Sequence, residues 1–191
     1  MSLSRPAADG VRRKCVLLVG MMGAGKSTVA SLLAARLGWP LVDTDTMVEN
    51  RAGATVAEVF DRKGEAAFRA AEAQAIAELA EVDEPLVVSV GGGAVLREAN
   101  RSAMRAAGTV VWLRARPETL AARVGSGRAR PLLHRSGLPP QASLEQLAVE
   151  REVFYRDAAD ITVDVDDISA GQAADLVISA LTSALALDRR A

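Results

Sequence analysis

Residues 20–28 read GMMGAGKST, set between the apolar run CVLLV (15–19) and the alanine-rich segment VASLLAARLG (29–38). The stretch GMMGAGKS (20–27) satisfies G-x-x-x-x-G-K-S/T, and its placement carries as much weight as its letters. A strand precedes it and a helix follows. Glycines there let backbone N–H groups turn inward around phosphate oxygens, and the helix N-terminus adds its positive end. Lys26 is expected to reach the β- and γ-phosphates, and the Ser27 hydroxyl to ligate Mg2+. Gly23, Ala24, Gly25 and Thr28 complete the nucleotide loop. The first ligands expected are therefore ATP and Mg2+. What receives the phosphate has to be read elsewhere.

Outward from this loop the chain alternates strands and helices with short connections. Strands are expected at 14–19, 40–43, 86–90, 109–113 and 161–165. The first, third and fourth are nearly continuous apolar runs, as parallel strands covered on both faces require. Helices are expected near 26–37, 45–51, 55–62, 64–81, 97–107, 117–124, 143–158 and 169–187. Thr55 followed by Glu58 has the form of a capping box, and Pro117 suits a first helical turn. The expected fold is α/β: a three-layer sandwich around a central parallel five-stranded sheet, of the P-loop NTPase type. One domain is expected over 1–191, with a nucleotide-binding core at 14–45, substrate-binding helices at 45–81 and a C-terminal helix and tail at 169–191.

Composition narrows the partners. Half the residues are hydrophobic but only 3% are aromatic, so alanine, valine and leucine must build the core. The 23 basic and 24 acidic side chains nearly cancel, which leaves no global field to draw the chain to nucleic acid or anionic lipid. Cys15 is the only cysteine, so no intrachain disulfide forms, and its apolar surroundings suit an inert core thiol. No apolar region of leader type follows the basic N-terminal residues, and no run approaches the ~18 residues of a membrane helix. A cytoplasmic monomer is the expectation.

Three further regions bear on the acceptor. VDTDT (42–46) ends the second strand with two carboxylates, Asp43 and Asp45. One of them is an expected helix N-cap; together, above the carboxyl edge of a sheet, they suit bound magnesium and a substrate hydroxyl. On helix 64–81, Phe68, Ala71, Ala75 and Leu79 make an apolar stripe, with Glu72 inside it and Arg69 at its edge. On helix 143–158 the face Leu144, Ala148, Tyr155 and Ala158 has Arg151 at its centre. A buried arginine is either ion-paired or reaches into a cleft, since a lone buried charge is expensive. Two arginines and one glutamate so placed favour a site that grips an anion through guanidinium forks. The third strand runs into a second glycine loop, VVSVGGGAV (87–95), which no Lys-Ser/Thr follows, so it holds no phosphate. Its bare backbone is expected to make room for an acceptor ring, with N–H groups aimed at it. Finally, 125–143 has glycine, proline and basic side chains but no period, which suits either a solvated loop or a lid over 125–140.

Taken together, GMMGAGKST, LVDTD (41–45), FR-x-x-E (68–72), VGGGAV (90–95), RPLL (130–133) and R-x-x-x-Y-R (151–156) resemble the shikimate kinase family. The resemblance covers residues 14 to about 165 in order and approximate spacing. It implies transfer of the ATP γ-phosphoryl to the 3-hydroxyl of shikimate. By position, Lys26, Asp45 and Arg130 would be the catalytic set, with Asp45 orienting the attacking hydroxyl and Arg130 meeting phosphates from the lid. Arg69 and Arg151 would clamp the carboxylate, Glu72 would anchor Arg69, and Gly91, Gly92 and Gly93 would present backbone to the substrate. Asp43 would join Ser27 in the magnesium shell, and Arg123 would stack on adenine. The loop DVDDIS (164–169) departs from the family and is given no adenine contact, and His134 is expected to be an exposed lid residue. The rivals are a kinase for another polyol acid such as gluconate, which would lack FR-x-x-E with GGG, and a non-catalytic ATP-binding module, which would need no acceptor pocket.

Overall fold

The computed structural model describes residues 15–124 and 139–188. Five strands, β1 (Cys15–Val19), β2 (Leu41–Asp43), β3 (Leu86–Ser89), β4 (Gly108–Arg114) and β5 (Ile161–Asp164), form one sheet in the order β2-β3-β1-β4-β5. Every pairing is parallel. β1 lies at the centre, with Leu18 opposite Ser89 of β3 and Val111 of β4. The apolar runs explain the order. β1 and β3 are buried along their whole length, while the short β2 at the edge is partly exposed. The connections from β1 and β3 leave in opposite directions across the sheet, and the resulting crevice at the carboxyl edge is where such sheets bind ligands.

Helices cover both faces. They are α1 (Lys26–Leu37), α2 (Thr44–Ala52), α3 (Val56–Ala80), α4 (Glu98–Ala107), α5 (Pro117–Val124), α6 (Pro140–Ala158) and α7 (Ala170–Asp188). A 3-10 turn, Ala94–Leu96, follows the second glycine loop. α1 packs on α7, and α4 lies against both α3 and α6. The Thr55–Glu58 capping box is present, each side chain accepting from the other residue's backbone N–H. The helices expected at 55–62 and 64–81 are one span interrupted at Gly64, whose φ of 78° is left-handed. α6 starts at Pro140, three residues before the expected 143, because proline fits the first helical turn.

Two apolar clusters result. The larger is built on β1, β3 and β4 with α1, α4, α6 and α7 around them. The smaller, Val48, Val59, Phe60, Phe68 and Ala75, joins α2 to α3. Cys15 is buried in the larger, and desolvation raises its thiol pKa, as an inert core cysteine requires. Among the described residues no helix is long and apolar enough to cross a membrane.

Candidate active site

The phosphate-binding loop joins β1 to α1 across the centre of the carboxyl edge. Gly25, in left-handed conformation, caps α1 without any side-chain hydrogen bond, so no capping side chain covers the helix N-terminus, the end that favours an anion. Lys26 Nζ donates to the carbonyls of Gly20 (2.9 Å) and Met21 (3.1 Å), which holds the ammonium over the loop. Ser27 and Thr28 are exposed at the helix start.

At the end of β2 the two aspartates separate in role. Asp43 caps α2, its Oδ1 accepting from the N–H groups of Asp45 (2.9 Å) and Thr46 (3.4 Å). Asp45 turns instead toward the second glycine loop. A Cβ built on Gly91 would lie 2.7 Å from Asp45 Oδ1 and 2.7 Å from Glu72 Oε1, so two carboxylates crowd one point of backbone. Burial raises the pKa of both. For Asp45, repulsion from Asp43 and Glu49 adds to the rise, while Lys26 and Arg69 oppose it. The charge of Asp45 is thus felt by the lysine of the nucleotide side and by an arginine of the acceptor side.

Arg69 Nη1 donates to Glu72 Oε2 at 2.8 Å, and Nη2 meets Glu65 Oε1 at 3.5 Å. Its guanidinium lies so flat against the loop that a Cβ on Gly93 would sit 2.5 Å from both terminal nitrogens. Arg151 approaches from the other side. It is 5% exposed, and Nη1 donates to the Gly92 carbonyl at 3.3 Å. Among the described residues it forms no salt bridge with a carboxylate. The two readings left open for these arginines therefore divide. Arg69 has its structural partner in Glu72, whereas Arg151, buried, makes no salt bridge among the described residues and only acts on Glu72 from a distance.

The glycine loop is approached closely by the protein's own side chains, Asp45 and Glu72 at Gly91 and Arg69 at Gly93. The Gly91 N–H is also spoken for, donating to Thr44 Oγ1 at 2.9 Å, and the Gly91 carbonyl accepts from Ala94 N. Among the described residues only the Gly92 and Gly93 N–H groups of the loop remain without an acceptor. The loop lets charged side chains close in on backbone, and offers a ligand two donors rather than three.

Sequence reasoning passed over three residues. Thr44 is fully buried and ties Gly91 to the start of α2. Tyr155, taken only as part of an apolar face, donates its hydroxyl to the Gly92 carbonyl at 2.6 Å. Arg101 links the Val95 carbonyl (2.8 Å) to Asp157 of α6 (2.7 Å). A polar residue between two aspartates, and the chain's single tyrosine one turn beyond an arginine, were signals available for the first two. Arg123 Nη2 donates to the carbonyls of Val165 (2.7 Å) and Asp166 (3.3 Å), which places it on the very loop that was given no adenine contact. Arg130, His134 and residues 125–138 of the expected lid lie outside the described residues. A separate cleft of about 350 Å3 opens behind Tyr155, between α6 and the β4–β5 edge. Its charges are already matched, Arg114 to Asp164 and Arg116 to Asp166, so it does not compete as the acceptor site.

A nucleotide loop facing a pocket of inward-turned charges defines a P-loop kinase that phosphorylates a small anionic molecule. The family model for shikimate kinase matches residues 22–182. A shikimate kinase of Symbiobacterium thermophilum is 50% identical over 153 residues, which are 79% of this chain and 86% of that protein. The structure of a shikimate kinase from Acinetobacter baumannii in complex with shikimate superposes with a TM-score of 0.83 at 34% identity, over 89% of this chain and 93% of that one. A gluconokinase from Sinorhizobium meliloti shares the fold, at 20% identity and a TM-score of 0.55 over 93% of this chain and 99% of that one. The chain belongs to the shikimate kinase family and is an ATP-dependent kinase.

Proposed function

We propose that this chain transfers the γ-phosphoryl group of ATP to the 3-hydroxyl of shikimate, giving shikimate 3-phosphate and ADP for chorismate and aromatic amino-acid biosynthesis. The observation that carries the reading is Arg151: a guanidinium 5% exposed, with no carboxylate partner among the described residues, one residue along the glycine loop from Arg69. A buried cation with no carboxylate in salt-bridge contact among the described residues, and only Glu72 acting on it from a distance, is costly, and the carboxylate of an acceptor acid supplies the contact. The protein is proposed to act as a cytoplasmic monomer, without nucleic-acid or membrane partners.

Phosphoryl transfer asks the protein mainly to place groups and to neutralise spreading charge. Arg69 and Arg151 grip the acceptor carboxylate, and Asp45 orients the hydroxyl. Burial raises the Asp45 pKa, so its carboxylate is a better proton acceptor than an exposed aspartate. Lys26 follows the β- and γ-phosphates, Arg123 borders the adenine, and Arg130 approaches the phosphates from the 125–140 segment. Mg2+, when bound, neutralises phosphate charge and aligns the transferred group. The donor set fits it. Among the described residues no three acidic, histidine or cysteine side chains cluster to hold a metal alone. Mg2+ instead takes one or two protein oxygens together with waters and phosphates. The exposed Ser27 hydroxyl supplies one, and Asp43, whose Oδ1 is committed to the α2 cap, has Oδ2 for the surrounding water shell.

The test is coupled ADP release from purified protein with a panel of acids including shikimate and gluconate. Shikimate should respond; a response to another acid alone would sink the assignment. Arg69→Ala should raise the shikimate KM by about ten- to a hundredfold, the worth of a charge-assisted bond, with the ATP KM nearly unchanged. Equal damage to both ligands would mean that Arg69 is only a structural ion pair.

A further inference from the structure

Tyr155 is the one tyrosine of the chain and is 1% exposed. Its hydroxyl and the Arg151 guanidinium, one turn apart on the same face of α6, converge on a single acceptor, the Gly92 carbonyl. The contacts are unequal: 2.6 Å from the hydroxyl and 3.3 Å from the guanidinium. The ring is held by Trp112, stacked at 5.7 Å between centroids and 15° between planes. Burial raises the hydroxyl's pKa, so it stays protonated, and therefore a donor, throughout the working range.

For packing alone a phenylalanine would serve, since the two rings fill nearly the same volume and only the hydroxyl demands a buried partner. Nor does the carbonyl need the hydroxyl to avoid being orphaned, because Arg151 is within reach of it. What the hydroxyl changes is the division of labour. With the short bond made by Tyr155, the guanidinium keeps most of its five N–H donors for something else.

We infer that Tyr155 is a positioning residue for the acceptor: its hydroxyl fixes the Gly92–Gly93 peptide and spares Arg151 from doing so. The peptide is trans, so turning its carbonyl to α6 turns the Gly93 N–H away from α6. That N–H is one of the two unclaimed donors of the loop, and Gly93 is where the Arg69 guanidinium rests. One hydroxyl thereby governs both a backbone donor beside Arg69 and the reach of Arg151. This rests on the reading of Arg69 and Arg151 as the acceptor clamp.

Steady-state kinetics of Tyr155→Phe, Trp112→Phe and Arg151→Ala test it. Tyr155→Phe should raise the shikimate KM about tenfold while the ATP KM and kcat stay within about twofold. Trp112→Phe, which weakens the stack and keeps the hydroxyl, should lower Tm but leave the shikimate KM near wild type. The inference is overturned if Tyr155→Phe leaves the shikimate KM unchanged, if the ATP KM rises in parallel, or if Trp112→Phe reproduces the effect. Arg151→Ala separates the two levels. A raised shikimate KM there beside an unchanged one in Tyr155→Phe removes the inference and keeps the clamp. An unchanged KM in Arg151→Ala removes the clamp and the inference with it.

Discussion

Glu72 shows what a single residue contributes here. It is 1% exposed, bonded to Arg69, and shares the space beside Gly91 with Asp45. Burial raises its pKa, and attraction to Arg69 only partly offsets that. An acid whose pKa rises on folding binds more protons folded than unfolded between the two values, so stability falls as pH climbs through that window. Glu72→Gln lacks this titration. The wild-type Tm relative to the variant should therefore drop as pH rises from the ordinary glutamate value of 4.5 through the raised one, then level off. A wild type that gains on the variant over that range would show that Arg69, not burial, sets the protonation of Glu72. The variant should also raise the shikimate KM about tenfold, because Arg69 loses a charge-assisted bond. Residues of this kind were legible in advance: Glu72 and Arg151 are charged positions inside apolar helical stripes. Their partners were not. A stripe says that a charge is buried, and only the fold says whether it meets a carboxylate, as Arg69 does, or none among the described residues, as for Arg151.

At the scale of elements, α2 and α3 form a unit with its own apolar cluster, distinct from the core on the sheet. Phe60 and Phe68 stand on either side of the break at Gly64, their ring centroids 4.7 Å apart. Asp45 lies on this unit, and so do Arg69 and Glu72. Phe60→Ala should cost about 3 kcal/mol by opening a cavity in so small a cluster. The loss should be local: hydrogen exchange should speed up in α2 and the first half of α3, with strand amides still protected. The shikimate KM should rise while the ATP KM holds. Uniform loss of protection would instead make the cluster part of one cooperative core. The capping box and the three- and four-residue spacing made these helices readable. That their apolar residues pack on each other, away from the sheet, was not, because periodicity defines a face without naming what covers it. The glycine loop was legible only in part for a related reason. Its glycines announce that something comes close, and only the fold shows that Asp45, Glu72 and Arg69 do so.

At the scale of the molecule, the sheet order does the assembling. In sequence the strands run one to five, but β3 sits between β2 and β1, so Asp45 and the glycine loop end side by side next to the phosphate loop. Apolar runs made the strands legible; their order was not, since every buried parallel strand reads alike. Because Arg69 and Arg151 meet on one loop only when folded, an acceptor bound between them favours the native state over the unfolded one. At a hundred times Kd the gain is about 2.7 kcal/mol, which for a chain of this size is about 5–10 °C in Tm. ATP with Mg2+ should give its own shift through the phosphate loop. The two should be separable by mutation. Arg69→Ala should lose most of the shikimate shift and keep the nucleotide shift, and Lys26→Ala should do the reverse. Chelating Mg2+ should shrink the nucleotide shift and leave that of shikimate. Since neither guanidinium of the clamp belongs to the phosphate loop, no single one of these changes should abolish both shifts in a folded protein. If Arg69→Ala does so while keeping its circular dichroism spectrum, the division into donor and acceptor halves is wrong.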